Sequence, residues 1–300
     1  MANFITKSIG VKVSVIVNVF IFLIISVGTY VLMAKQSAKL EAELLSRGQI
    51  QAIVGAKMIG QIIEEAIDNG VFSVADAFDK NYEQIGAFDP PKYHTKYDSY
   101  LDKAILSLED EFLLDQSIVF AVATDVNGYL PTHNTRYQLP LTGDPVKDKV
   151  GNRTKRIFND PVGLQASKNT VKGLLQVYKR DTGETMWDVS SPIYVKGKQW
   201  GGFRIGLSLV AIDAAKSELK VTLFGIMATI LILSLALIFI IVNHFLAPIK
   251  TLTNIADNVA NGKNLDEEIK VTNEDEFGDM QGSLERLRMS MVIALRRSKK

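Results

Sequence analysis

The chain has 300 residues, 34 Lys and Arg against 33 Asp and Glu, and no cysteine. A net charge of +1 argues against nucleic acid as a partner, because phosphate binding draws on a basic excess. The lack of cysteine excludes disulfides, thiolate metal sites, c-type haem attachment and cysteine nucleophiles.

Apolar residues are concentrated in two blocks. From Val13 to Ala34 no residue is charged and only Asn18 is strongly polar; from Val221 to Asn243 Thr222, Thr229 and Ser234 are the mild exceptions. Each block reaches the roughly 20 helical residues that cross about 30 Å of hydrocarbon while satisfying their own backbone. Lys7 and Lys12 ahead of the first block resemble the n-region of a signal peptide. However, a signal's apolar stretch is shorter and ends in small residues, whereas this one runs out through Tyr30, Val31, Leu32 and Met33. An uncleaved anchor fits. Two spans place both termini on one side, and Lys35, Lys39 and Arg47 beyond the first span leave the charge rule undecided about which side.

Lys35 to about Ile67 is expected to be a long helix continuing the first span, with Leu40, Leu44, Ile50, Val54, Met58 and Ile62 at helical spacings. Asp68-Asn69-Gly70 ends it, and Phe88-Asp89-Pro90-Pro91 is a second break. Tyr100, Leu101, Ala104, Ile105 and Leu108 make an apolar face ending in Glu109-Asp110-Glu111, read as a solvated helix end. From Ser117 the period changes to two. Ile118 to Thr124 and Tyr129-Leu130, joined by Val126-Asn127-Gly128, are expected to form a hairpin. Strands follow at Val171–Lys179, Met186–Tyr194 and Gln199–Ser208, with turns at Asp181-Thr182-Gly183-Glu184 and Lys196-Gly197-Lys198. Helices followed by an antiparallel sheet give an α+β fold, not a βαβ nucleotide-binding one.

After the second block, Ala247-Pro248-Ile249 is expected to open a new helix, because proline is tolerated in a first turn. Ile249, Leu252, Ala256 and Val259 line one face, Asn261-Gly262 stops it, and Leu265, Ile269 and Val271 are the apolar anchors of a polar connector. A second helix starts at Asp275-Glu276, acidic residues suited to the positive end of a helix dipole, and carries Met280, Leu284, Leu287 and Met291. Two such narrow stripes ask for partner helices, which a parallel dimeric four-helix bundle supplies.

Pro248-Ile249, the connector with Gly262, and Asp275-Glu276-Phe277-Gly278 resemble a HAMP domain, the relay of chemoreceptors and sensor kinases. The resemblance implies roles for Pro248, Ile249, Leu252, Val259, Glu276, Gly278, Met280, Leu284, Leu287 and Met291 in that relay, and a cytoplasmic location for it. Asp125-Val126-Asn127-Gly128-Tyr129, Asn152-Arg153-Thr154-Lys155-Arg156-Ile157-Phe158 and Gly197-Lys198-Gln199-Trp200-Gly201 are similar, more loosely, to the Cache and PAS-like periplasmic domains of methyl-accepting chemotaxis proteins. Some relatives bind haem through Cys-x-x-Cys-His; without cysteine no such cofactor carries over, and no other is expected. The expected division is a cytoplasmic tail 1–12, spans at 13–34 and 221–243, an extracytoplasmic sensor domain 35–220, a HAMP domain 244–294 and a basic tail 295–300.

Candidate ligand-binding residues are Tyr129, His133 and Arg136 after the expected hairpin, Arg153 and Arg156 in the basic loop, and Trp187, Asp188, Trp200 and Arg204 on the last strands. Arginine pairs bidentately with carboxylates, which suits an organic acid or amino acid. Asp188 and Arg204 also suit an internal ion pair, and the tryptophans a core. Three histidines are too scattered for a metal site, and no phosphate-binding loop or nucleophile elbow is present, so no enzyme is expected. Two readings follow. One is a homodimeric receptor subunit of the bacterial inner membrane that binds a small molecule and signals to a separate cytoplasmic protein, or through a signalling hairpin if the chain belongs to a longer receptor. The other is a membrane adaptor whose extracytoplasmic domain binds a protein.

Overall fold

The computed structural model describes residues 9–180 and 183–298. It divides into two compact units, residues 33–221 and residues 1–32 with 222–300.

Helix α1 (Ile9–Asp68) is continuous from the first apolar block into the first unit. Its face Ala52, Ala56, Ile59 and Ile63 is fully buried in the main core of that unit. The elements that follow are α2 (Val74–Ala77), strands β1 (Glu83–Ile85) and β2 (Lys92–His94), and helices α3 (Asp98–Ala104) and α4 (Leu106–Glu111). Strand β3 (Ile118–Asp125) precedes β4 (Tyr129–Leu130), α5 (Pro145–Gly151), β5 (Arg156–Ile157) and α6 (Pro161–Lys168). Strands β6 (Leu174–Lys179), β7 (Thr185–Val195) and β8 (Lys198–Ser208) complete an antiparallel sheet of order β3-β8-β7-β6. This is the expected α+β architecture. The turn expected at Asp181-Thr182-Gly183-Glu184 lies partly outside the described residues, at 181 and 182.

Two expectations are corrected. The hairpin between Ile118–Thr124 and Tyr129-Leu130 does not form: β3 pairs with β8, and β4 pairs with β5. The reason is local, since Asp125 Oδ1 accepts the amides of Asn127 and Tyr129, each at 2.9 Å, and this closed turn carries the chain away from β3. The acidic run is not a solvated helix end either. Glu109 is fully buried, its Oε1 accepting the Ala123 amide at 2.8 Å, while Asn134 Oδ1 accepts the Ala121 amide at 3.0 Å. Asp110 instead receives Thr135 through both its amide and its hydroxyl.

The sheet has two different faces because successive residues point opposite ways. Ala121, Ala123, Trp187, Val189, Phe203, Ile205 and Leu207 share the main core with α1. Phe120, Val122 and Met186 belong to a smaller apolar cluster on the other side, with Leu130, Tyr137, Phe158 and Tyr178 against it.

Helix α7 (Leu209–Ala260) begins in the first unit, continues into the other and runs through Pro248 without a break, so a new helix does not start there. Pro248 only forgoes its own bond one turn back. Both α1 and α7 contain windows long and apolar enough to cross a membrane, with mean hydropathies of 2.5 and 2.9, and neither window is buried. Helix α7 ends in a Schellman cap: Gly262 has φ +68°, and the Lys263 amide reaches the Asn258 carbonyl at 2.8 Å. Helix α8 (Glu276–Ser298) is capped by Asp275, which accepts from Phe277 and Gly278. A Cβ on Gly278 would lie 2.0 Å from the Asn273 carbonyl oxygen, so only glycine allows the connector to turn this tightly into the helix. The connector is also fastened from the side: Glu285 accepts the Ile269 amide at 2.9 Å, and Arg288 donates to the Leu265 carbonyl.

Candidate functional site

Between the second face of the sheet and the 129–160 segment that covers it lies a cavity of about 240 Å³. Its apolar wall is Phe120, Val122, Leu130, Phe158 and Tyr178; its polar wall is His133, Arg153, Asp160, Lys179, Arg180 and Arg204. The sheet is shaped for this hollow. Phe120 stands opposite Gly206 in the β3–β8 register, and a Cβ on Gly206 would come within 2.3 Å of the Phe120 ring. Glycine therefore lets that ring lie flat across β8.

Guanidinium groups line the hollow on aromatic supports. Arg153 and Arg156 each lie 5.0 Å over Phe158, Arg180 lies 4.8 Å over Tyr137 and 5.6 Å over Phe120, and Arg204 lies 5.8 Å over Phe120. Arg204 is matched by Asp188, and both are buried. Arg180 donates to the Tyr137 hydroxyl at 3.2 Å and lies 3.7 Å from the half-exposed Glu184. Among the described residues Asp160 is the only carboxylate in the lining, and its Oδ1 accepts the Val162 and Gly163 amides that open α6. Burial first, and then Arg153, Arg180, Arg136 and Arg156, hold the His133 imidazole well below its ordinary pKa, so it is neutral near pH 7.

The candidate residues divide by face. His133, Arg153 and Arg204 line the cavity, and Asp188 stands behind Arg204 as its ion-pair partner. Arg156, buried, donates to the Lys149 carbonyl at 3.0 Å and shares the Phe158 ring with Arg153. Arg136 lies over Tyr137 and reaches the Val119 carbonyl, outside the lining. Tyr129, Trp187 and Trp200 belong to the main core on the opposite face. There Tyr129 donates to Asp98 at 2.8 Å, and Trp200 donates to the Ala77 carbonyl at 2.8 Å. Sequence reasoning passed over Phe120, Val122, Tyr178, Lys179 and Arg180. The alternation of bulky Phe120 and Val122 with small Ala121 and Ala123 was the available signal that this strand is walled on both faces.

A smaller hollow of about 160 Å³ contains Lys92 and Asp148. Burial, with Arg156 adding to it, pushes the Lys92 ammonium down to about 8. That group already donates to Asn152 and to the Thr154 carbonyl, and Asp148 to three donors of Thr142 and Gly143 is already an acceptor.

Residues 240–292 match the HAMP domain family. A spanning-length helix, an α+β domain, a second spanning-length helix and a HAMP domain, in that order, agree with the HAMP-containing sensor layout expected from the sequence. No curated protein matches the chain. Among solved structures, the E. coli DcuS sensor domain is similar at 22% identity and a TM-score of 0.26, covering 37% of this chain and 70% of that one. The sensory domain of the Campylobacter jejuni chemoreceptor Tlp3 (CcmL) is similar at 10% identity and a TM-score of 0.27, covering 59% of this chain. The same domain with isoleucine bound gives 11% and 0.28. This chain spans 65% of the length of either Tlp3 chain, just under two thirds.

Proposed function

We propose that this protein is a receptor subunit of the bacterial inner membrane that binds a small organic anion outside the cytoplasm and relays its presence through HAMP. In this reading residues 1–12 are cytoplasmic, 13–34 and 221–243 span, 35–220 form a Cache or PAS-like sensor domain, 244–294 form the HAMP relay and 295–300 a basic tail. The observation that carries it is the arginine-lined cavity. Among the described residues Arg153, Lys179, Arg180 and Arg204 line it with Asp160 as the one lining carboxylate, Asp188 behind Arg204 and Glu184 beside Arg180. That predominance of cationic side chains favours an anionic ligand. It disfavours an amino acid, whose ammonium would have to compete for a carboxylate already capping a helix.

The output is a change of helix packing, not catalysis. An anion that draws the arginines inward favours one arrangement of the domain, and a relay bundle needs only a few kcal/mol of difference to shift between two packings. Ile249, Met280, Leu284, Leu287 and Met291 are proposed to face a second copy of the chain, with Leu252 and Val259 buried within this one, and a separate cytoplasmic protein to read the bundle.

The test is a thermal-shift screen of the full-length chain in detergent against dicarboxylates, tricarboxylates, inorganic anions and amino acids, since a ligand of the folded state raises its melting temperature. Stabilisation by anions that is lost in Arg153→Ala and in Arg180→Ala supports the receptor; uniform silence removes it. Silence would favour the adaptor reading, for which Leu139, Val146 and Val150 offer apolar side chains that are 53%, 76% and 46% exposed around α5.

A further inference from the structure

His133 forms part of the cavity wall, is 3% exposed, and its Nδ1 has no hydrogen-bond partner among the described residues. Its ring lies 4.6 Å from that of Tyr137 and 6.3 Å, edge-on, from that of Phe120. Among the described residues the charges that face it come from several elements, with Glu184 3.7 Å from one of them, Arg180. Arg136 is on the turn beside it, Arg153 and Arg156 lead into β5, and Arg180 follows β6. Across the hollow stand Lys179, the Tyr178 hydroxyl, Arg204 with its partner Asp188, and Asp160 at the start of α6.

Among the described residues no carboxylate pairs with an imidazolium at this position, which adds to a group of like charges. An anion seated in the cavity changes both conditions at once, because it brings negative charge to the wall that His133 forms and offsets the field of the surrounding guanidiniums. Such a ligand and a proton therefore help each other to bind, and the effect is reciprocal by thermodynamic necessity.

Resting on the anion-receptor reading above, we propose that the cavity takes up an anion together with a proton on His133, so that the receptor reports anion and acidity jointly. Binding then strengthens as pH falls, by up to about tenfold per unit where one full proton is taken up.

The experiment is isothermal titration of the full-length chain in detergent with ethane-1,2-disulfonate, sulfate and succinate. The first two do not titrate between pH 5.5 and 7.5, and two buffers of different ionisation enthalpy report the protons taken up. The expected result is uptake of up to one proton per anion in the wild type, with tighter binding at pH 5.5, and binding without uptake in His133→Gln. The chain has 3 histidines, so ¹³C-labelled imidazole NMR of the wild type gives a second readout: one resonance that titrates in this range only when anion is present. Anion binding with no buffer dependence and no such resonance overturns the proton linkage alone. Uptake that persists unchanged in His133→Gln does the same. No heat with any of the three anions at any pH overturns the anion reading, and the linkage with it.

Discussion

Arg204 and Asp188 meet across the β7–β8 pair with two nitrogens on one oxygen: Nε at 3.0 Å and Nη2 at 2.5 Å from Asp188 Oδ2. Neither is exposed to water, and burial pushes the Asp188 carboxyl up against the downward pull of Arg204. Removing one partner leaves the other charge buried and uncompensated, which typically costs about 3–5 kcal/mol. Asp188→Asn is therefore expected to lower the melting temperature far more than the isosteric change suggests. The double variant Asp188→Asn with Arg204→Met should recover much of the loss; equal melting temperatures for wild type and Asp188→Asn would count against a strained pair.

Glu109 governs a second pH effect. Burial raises its carboxyl well above the ordinary 4.5, outweighing the Ala123 amide that favours the charged form. A group whose folded pKa is raised contributes stability fully below its unfolded value and loses it as pH climbs through the folded one. Glu109→Gln keeps an oxygen for the Ala123 amide but cannot ionise. The variant should therefore lose less stability than the wild type between pH 5 and pH 8, as read by melting temperature at each pH. Parallel curves would mean that Glu109 stays charged.

Glu285 and Arg288 hold the HAMP connector to α8. Arg288 donates to Glu285 at 2.6 and 2.8 Å, and with the Ile269 amide it holds the Glu285 carboxyl down at about 2. That contribution is present above the unfolded pKa of 4.5 and is lost only as pH falls towards 2, so it is intact at physiological pH. Arg288→Ala is expected to free Leu265 and speed tryptic cleavage at Lys263 and Lys270 several-fold in limited digestion. Unchanged cleavage would show that the Glu285–Ile269 bond suffices.

On α8 the apolar stripe is uncovered within the chain: Met280 is 50% and Leu287 57% exposed. Cysteine substitutions at Leu284 and Leu287 in the cysteine-free chain are expected to cross-link between copies in membranes under mild oxidation. Failure of both positions, with an exposed control such as Ser290→Cys equally silent, would remove the parallel dimer.

The long helices and the strands β3, β6, β7 and β8 were legible because they are written in local periodicity, whereas the short β1, β2, α5, β5 and α6 were not. Nor were the strand partners. Pairing of β3 with β8 joins Ala121 to Ile205 across the whole covering segment, and no local pattern at Ile118–Thr124 announces it. For the same reason aromatic residues misled: Tyr129 and Trp200 have the chemistry of a ligand platform, yet long-range contacts bury them in the main core, Tyr129 on Asp98 and Trp200 on the Ala77 carbonyl. Arg153 and Arg204 were legible from charge alone. Arg180 was not, because its place in the wall depends on where β6 ends against Tyr137 and Phe120.

The outer rim of the sheet has one more consequence. β3 is an end strand, and such strands ordinarily present a row of free amides on which another chain can grow. Here the Ala121 and Ala123 amides are already occupied by Asn134 and Glu109. A polypeptide sliding alongside finds those two rungs taken, so these buried side chains act as a built-in guard against fibre-like assembly.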